Sequence, residues 1–138
     1  MTAYWLMKSD PEEWSWADQV KATVAEWDGV RNYQAANAMK AMKLGDKAFF
    51  YHSGDEKRIM GVVEIVRLYH PDPTDKSGRF GMVDVKAIAK AARPVALAAI
   101  KDDPRLSHLA LVRQSRLSVM PVDAKAWQIL WKMAGIKA

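Results

Sequence analysis

The chain has no cysteine, which excludes a disulfide framework, thiolate catalysis and a cysteine-ligated zinc. Histidine is scarce: His52, His70 and His108 are all there is. None of them stands in an HExxH-like spacing with an acid, so spacing argues against a structural metal, and no cofactor is expected. The glycine-bearing signatures GxGxxG, GxxxxGK[ST] and GxSxG are missing, which removes dinucleotide, P-loop and esterase chemistry. No apolar run approaches the ~20 residues that span a bilayer. The N-terminal segment meets Asp10 after only a few apolar residues, too short for a signal-peptide core. The expectation from these absences is a cytoplasmic protein with no membrane partner and no metal.

What is present is a foldable composition of 138 residues, half of them apolar and 27% charged. That length suits one domain with one core, residues 1–138, and a monomer is the simplest state. The formal charge of +5 is unevenly spread. Residues 1–69 hold 9 basic and 10 acidic side chains, whereas residues 70–138 hold 12 and 6. Six tryptophans are a surplus for this length. A basic half with surplus aromatics points towards nucleic acid.

Local patterns predict an α+β chain. Tyr4–Lys8 has the form of a strand, and Ser9-Asp10-Pro11-Glu12-Glu13 has that of a helix start, with Trp14, Ala17 and Val20 on one face. Asn32 is placed to cap a helix over Tyr33–Lys43, closed by Leu44-Gly45-Asp46. Residues 48–53 and 58–69 predict two strands joined by a polar turn, and Phe80–Ala89 predicts another after a Pro/Asp/Gly loop. A short helix is expected over Val95–Lys101, and an extended segment over 115–120 that stops at Pro121. Asp123 then caps a last helix with Trp127, Leu130, Trp131 and Ala134 on its apolar stripe. Five or more short strands favour a curved or closed sheet.

The chemistry-bearing residues are few. Trp127 and Trp131 belong to the core by their stripe, and at least one of Trp14 and Trp16 should too. Trp27, between Glu26 and Asp28, answers to no amphipathic pattern and offers either an indole for stacking on a base or an irregular core contact. Ser9 and Asn32 are helix caps or, with Lys8 and Arg31, groups at helix starts that favour a phosphate or base edge. Tyr51 and Ser53 share a strand face with Phe49, which lines a pocket or the core. Glu64 interrupts an apolar strand, on its solvent face or as a buried carboxylate. Arg105, Arg113 and Arg116 mark a basic tail fit for phosphate contacts or plain solvation.

Four ordered segments together resemble the EVE domain family: 4–11 (YWLMKSDP), 27–35 (WDGVRNYQA), 45–53 (GDKAFFYHS) and 116–122 (RLSVMPV). The likeness runs from residue 4 to about 131, with Asp10 where the family usually has glutamate. It implies a PUA-like compact mixed β-barrel with peripheral helices, and kinship with YTH domains, which read N6-methyladenine in RNA. In such readers a lysine-serine pair follows the first strand and a tryptophan closes the next segment, features that fall here on Lys8, Ser9 and Trp27. The resemblance extends the implied pocket to Arg31, Asn32, Tyr51 and Ser53, and to Arg116, Leu117 and Ser118. The implied partner is DNA or RNA with modified, methylated bases. A flipped base would stack on Trp27 and on a second aromatic, Tyr69 or Phe80, while Arg113 and Arg116 hold phosphates. The competing expectation is an ASCH-like nucleoside hydrolase using Lys8 and Glu64, for which the threonine motif is missing.

Overall fold

A computed structural model describes residues 3–137. Its centre is a six-stranded sheet in the order β2-β5-β4-β3-β1-β6. The strands are β1 (Tyr4–Ser9), β2 (Val24–Glu26), β3 (Lys47–His52), β4 (Arg58–Pro71), β5 (Gly81–Ala96) and β6 (Val119–Val122). The helices are α1 (Trp16–Ala22), α2 (Tyr33–Ala41), α3 (Leu97–Lys101), α4 (Ala110–Arg113) and α5 (Ala124–Ala134). This is the expected α+β class. The strands do not close into a ring: β2 and β6 end the order, and no ladder joins them among the described residues.

Strand β1 runs parallel to β3 with Lys8 opposite Tyr51, and antiparallel to β6. Because a parallel pair needs a long crossover, the segment between them, with α1, β2 and α2, passes over the sheet and returns. The long pair β4–β5 shifts register at several points, and each such bulge bends and twists the strands. Leu6, Met7, Phe49 and Phe50 fill the centre and are fully buried. Phe49 stacks on Trp127 at 3.9 Å, which docks α5. Gly61 is fixed by packing: a Cβ there would lie 2.5 Å from the Trp16 ring.

Several boundaries differ from expectation for identifiable reasons. Helix α1 begins at Trp16 rather than near Pro11, because Ser15 and Asp18 form a reciprocal capping box. The Asp10 carbonyl instead takes the Glu13 and Trp14 N–H groups in a turn. The shift rotates the helix, so Trp16 and Gln19 are buried and Ala17 and Val20 are exposed. Asn32 caps α2 as expected, accepting from the Ala35 N–H at 2.9 Å. Strand β6 starts later than the predicted extended segment and continues through Pro121, which an edge strand tolerates. Asp123 and Gly135 bound α5, the glycine at φ 63° where a side chain would be strained.

Candidate functional site

A cleft of about 630 Å³ opens where the ends of β1 and β2 meet the loop Trp27–Arg31. Its size falls within the ~300–1,000 Å³ typical of small-ligand pockets. Lys8, Ser9, Trp27, Arg31 and Ser118 line it, joined by Trp14 and by the acids Asp10, Glu13, Glu26 and Asp28. A second, shallower notch of about 310 Å³ is lined by Asn32, Gln34 and residues 113–117, and so includes Arg113, Arg116 and Leu117. The two adjoin, since the Lys8 ammonium in the cleft donates to the Ser115 carbonyl of the notch at 3.0 Å.

Each wall of the cleft is held by specific bonds. The Lys8 N–H donates to the Ser118 carbonyl at 2.8 Å, which joins the end of β1 to the segment before β6. Burial lowers the Lys8 ammonium from the usual lysine range. The Ser9 hydroxyl donates to the Trp14 carbonyl at 2.5 Å, so it braces the turn rather than capping a helix. The Trp14 indole N–H donates to Gln19 Oε1 at 2.9 Å, and the Gln19 amide donates to the carbonyls of Thr23 and Val85. Gln19 is fully buried, and it positions the half-buried Trp14 ring at the cleft.

Trp27 follows β2 directly and its N–H donates to the Val83 carbonyl at 2.8 Å. The residue is 7% exposed, and its ring meets Phe50 edge-on at 5.4 Å. The indole is therefore core and cleft wall together, with only a margin towards the cleft. Among the proposed second aromatics, neither Tyr69 nor Phe80 lines the cleft. The Tyr69 hydroxyl accepts from the Gly81 N–H, and Phe80 lies against Tyr33. Trp14 is the second aromatic that lines it.

The loop after Trp27 is anchored from across the chain. Asp72, buried, accepts from the Gly29 N–H at 2.8 Å and from the Arg31 guanidinium at 3.2 Å. The other arm of Arg31 donates to the Thr74 hydroxyl at 2.9 Å. Burial pushes the Asp72 carboxyl up, but bonds from Thr74, Gly29 and Arg31 outweigh it and hold the group at about 2. Gly29 has φ 82°, a left-handed conformation that lets the loop turn back onto Asp72.

Tyr51 and Ser53 stand behind the cleft rather than in its lining. Tyr51 is 2% exposed, beneath the Lys8 ammonium at 5.7 Å, and burial pushes its hydroxyl up to about 12. The Ser53 N–H donates to the Ser9 carbonyl at 2.9 Å and fixes Ser9 from below. Leu117 is buried at the base of the notch. Arg113 and Arg116 are exposed, and Arg113 Nε donates to the Ser107 carbonyl at 3.2 Å. Glu64 does not join Lys8. It pairs with Lys47 at 3.9 Å, and Lys47 lies four positions from Tyr51, the partner of Lys8, or ~13 Å along β3.

Trp14, Gln19 and Asp72 were not anticipated. Trp14 has a signal, a tryptophan flanked by Glu13 and Ser15; the role of Asp72 at the cleft has none, because the loop residues it anchors, Gly29 and Arg31, lie some forty residues away.

The EVE domain family model matches residues 3–133. Human thymocyte nuclear protein 1 is 35% identical, with 94% of this chain and 73% of that protein aligned. The solved structure of Rpa0253 from Rhodopseudomonas palustris is 51% identical with a TM-score of 0.90, covering 97% of this chain and 94% of that one. Human THYN1 protein, crystallised in complex with DNA containing 5-methylcytosine, superposes with a TM-score of 0.86 at 31% identity, over 99% of this chain and all of that one. The YTH domain of Zygosaccharomyces rouxii MRB1, in complex with N6-methyladenosine RNA, shares the fold at a TM-score of 0.58 and 20% identity, over 96% of this chain and 86% of that one. The motifs, the match over nearly the whole chain and the shared fold make this protein a member of the EVE domain family.

Proposed function

We propose that the protein is a non-enzymatic module that binds nucleic acid and receives a modified, methylated base in the cleft between β1, β2 and the Trp27–Arg31 loop. The observation that carries this is the sorting of groups around the cleft. Two tryptophans, Trp14 and Trp27, line it together with Lys8, Ser9, Arg31 and Ser118, while Arg113 and Arg116 flank the adjoining notch. A base turned out of its stack finds apolar surface and hydrogen-bonding groups in the cleft, and its phosphates find arginine outside it. The complex of human THYN1 with 5-methylcytosine DNA supports the same assignment.

A methyl group adds apolar area worth about 1 kcal/mol, so preference for the modified base should be a few-fold to about tenfold. Asn32 in the notch, with Tyr51 and Ser53 behind the cleft, shapes it rather than touching the base. The test is a binding panel of oligonucleotides, DNA and RNA, unmodified and carrying 5-methylcytosine, 5-hydroxymethylcytosine or N6-methyladenine, at two salt concentrations. A preference for one modification that persists at both salts supports the proposal. Equal binding to every oligonucleotide refutes it. The hydrolase alternative lacks its proposed pair, because Lys8 and Glu64 lie apart; N4-acylated cytidine incubated with the protein should remain intact.

A further inference from the structure

Glu26 on β2 and Asp84 on β5 stand directly opposite each other in the antiparallel register, an arrangement of like charges that destabilises a sheet. His70 reaches the same spot from β4, with Nε2 at 3.3 Å from Asp84 Oδ1. One ligand atom from each of the three lies within 4.8 Å of the other two. The His70 and Asp84 side chains are 13% and 14% exposed. His70 Nε2 and Asp84 Oδ1 are themselves buried and have no hydrogen-bond partner among the described residues.

The second ring nitrogen of His70 explains why this matters. Nδ1 lies 2.7 Å from the Leu68 carbonyl, and a carbonyl only accepts, so Nδ1 carries a proton. That bond turns Nε2 towards a carboxylate oxygen, with no hydrogen bond joining the two atoms. An Nδ1–H bonded to a backbone carbonyl is also the usual way a metal-binding histidine is oriented.

We propose that Glu26, His70 and Asp84 form a binding site for a divalent transition metal, of the class that takes imidazole and carboxylate together, with zinc as the best fit. The Nε2–Oδ1 separation of 3.3 Å is long for a charge-assisted hydrogen bond of ~2.7–2.9 Å. It equals the ~3.3–3.4 Å edge of a tetrahedron whose metal–ligand bonds are ~2.0–2.1 Å. Glu26 is exposed and free to close the remaining distance. Arg67 approaches the other Asp84 oxygen, Oδ2, at 3.9 Å and leaves Oδ1 for the ion. An ion here would tie the three-residue strand β2 to β4 and β5, and with it Trp27, the next residue, into the cleft wall. Glu26 also lines the cleft, so the ion would sit beside it, but the calorimetric test below contains no nucleic acid and reads the metal alone.

The test uses the full chain stripped with EDTA and titrated with zinc chloride in a calorimeter, with magnesium chloride in parallel. The expected result is one zinc per chain, no magnesium binding and a higher melting temperature in zinc. His70→Gln and Asp84→Asn should each weaken zinc binding by at least about tenfold, whereas His108→Gln, at the exposed pair with Asp123, should not. In EDTA, Asp84→Asn should melt no lower than the unaltered protein, because it removes one of two opposed carboxylates. Failure to bind zinc stoichiometrically, or binding that survives His70→Gln, overturns the site. So does an Asp84→Asn variant that melts well below the unaltered protein in EDTA, which would make the contact an imidazolium–carboxylate pair.

Discussion

Trp27 is the residue whose replacement tests base stacking most directly, and its burial decides which replacement is informative. The residue is 7% exposed and its ring packs on Phe50. Truncating such a tryptophan to alanine costs about 3–5 kcal/mol, a large share of the roughly 5–15 kcal/mol that holds a domain folded. Lost binding by Trp27→Ala would then mix unfolding with lost stacking. Trp27→Phe keeps an aromatic edge on Phe50 and removes the fused ring, at a cost of about 1–2 kcal/mol. For a chain of this size that lowers the melting temperature by about 3–7 °C. Complete loss of a stacking partner costs ~1–3 kcal/mol, so the smaller ring should lose about half of that, a two- to roughly tenfold weaker complex. The assay is fluorescence anisotropy on paired duplexes with cytosine or 5-methylcytosine, run well below both melting temperatures. Binding to both duplexes at unaltered affinity, with the melting temperature lowered as calculated, would refute a contact between the base and Trp27 and leave its indole a core residue only.

Three further outcomes follow from the same geometry. The Asp72 carboxyl is depressed from 3.8 to about 2 in the folded protein, so its contribution, about 1–2 kcal/mol after allowing for the exposed Arg31, is whole above about pH 5 and lost as the pH falls towards 2. Asp72→Asn should therefore melt lower at neutral pH, and the gap should close in acid; a gap that is constant from pH 7 to pH 2 contradicts the clamp. Gly61→Ala places a methyl 2.5 Å from the Trp16 ring and 2.8 Å from the Ala89 carbonyl, which should cost about 1–3 kcal/mol in thermal or urea melts. Replacing Arg113 and Arg116 together by alanine should weaken modified and unmodified oligonucleotides alike and flatten the log–log salt dependence by about 2, read by repeating the titrations across a salt series.

Legibility of the fold and the cleft tracked how local each cause is. The Asn32 and Asp123 caps and the stripe of α5 are set by residues within one or two turns, and the structure matches them. The start of α1 is ambiguous in the sequence because two segments compete for it. Ser9-Asp10-Pro11 carries the generic helix-start pattern, but Ser15 with Asp18 satisfies two N–H groups reciprocally and wins. Strand β2 is silent in the sequence because three residues carry no periodicity, and it exists through its ladder to β5. The cleft divides in the same way. Lys8, Ser9, Trp27, Arg31 and Ser118 carry the motif and converge, whereas Asp72 acts on the loop through Gly29 and Arg31 from some forty residues away, and Gln19 holds the nearby Trp14 ring while its own amide reaches Val85 across the sheet. Glu26, His70 and Asp84 show the limit of spacing arguments: no metal-binding pattern links them along the chain, yet three adjacent strands bring them together.

The uneven charge of the chain acquires a physical meaning at the cleft. Its lining has two cations, Lys8 and Arg31, against the four acids Asp10, Glu13, Glu26 and Asp28. Arg31 is already committed to Asp72 and Thr74, and Lys8 to the Ser115 carbonyl. A phosphate entering the cleft would meet a net negative wall, while a neutral base would meet tryptophan and polar edges. The positive charge lies in residues 70–138, outside the cleft, and the exposed Arg113 and Arg116 flank the adjoining notch. In the proposed complex, attraction for the backbone and discrimination between bases would therefore rest on different groups. The first follows the ionic strength, because it works by releasing counterions. The second depends on apolar area and short hydrogen bonds inside the cleft, which salt screens little. The same separation would keep a bound phosphate chain at the rim, leaving entry to the cleft to the one base that can turn away from it.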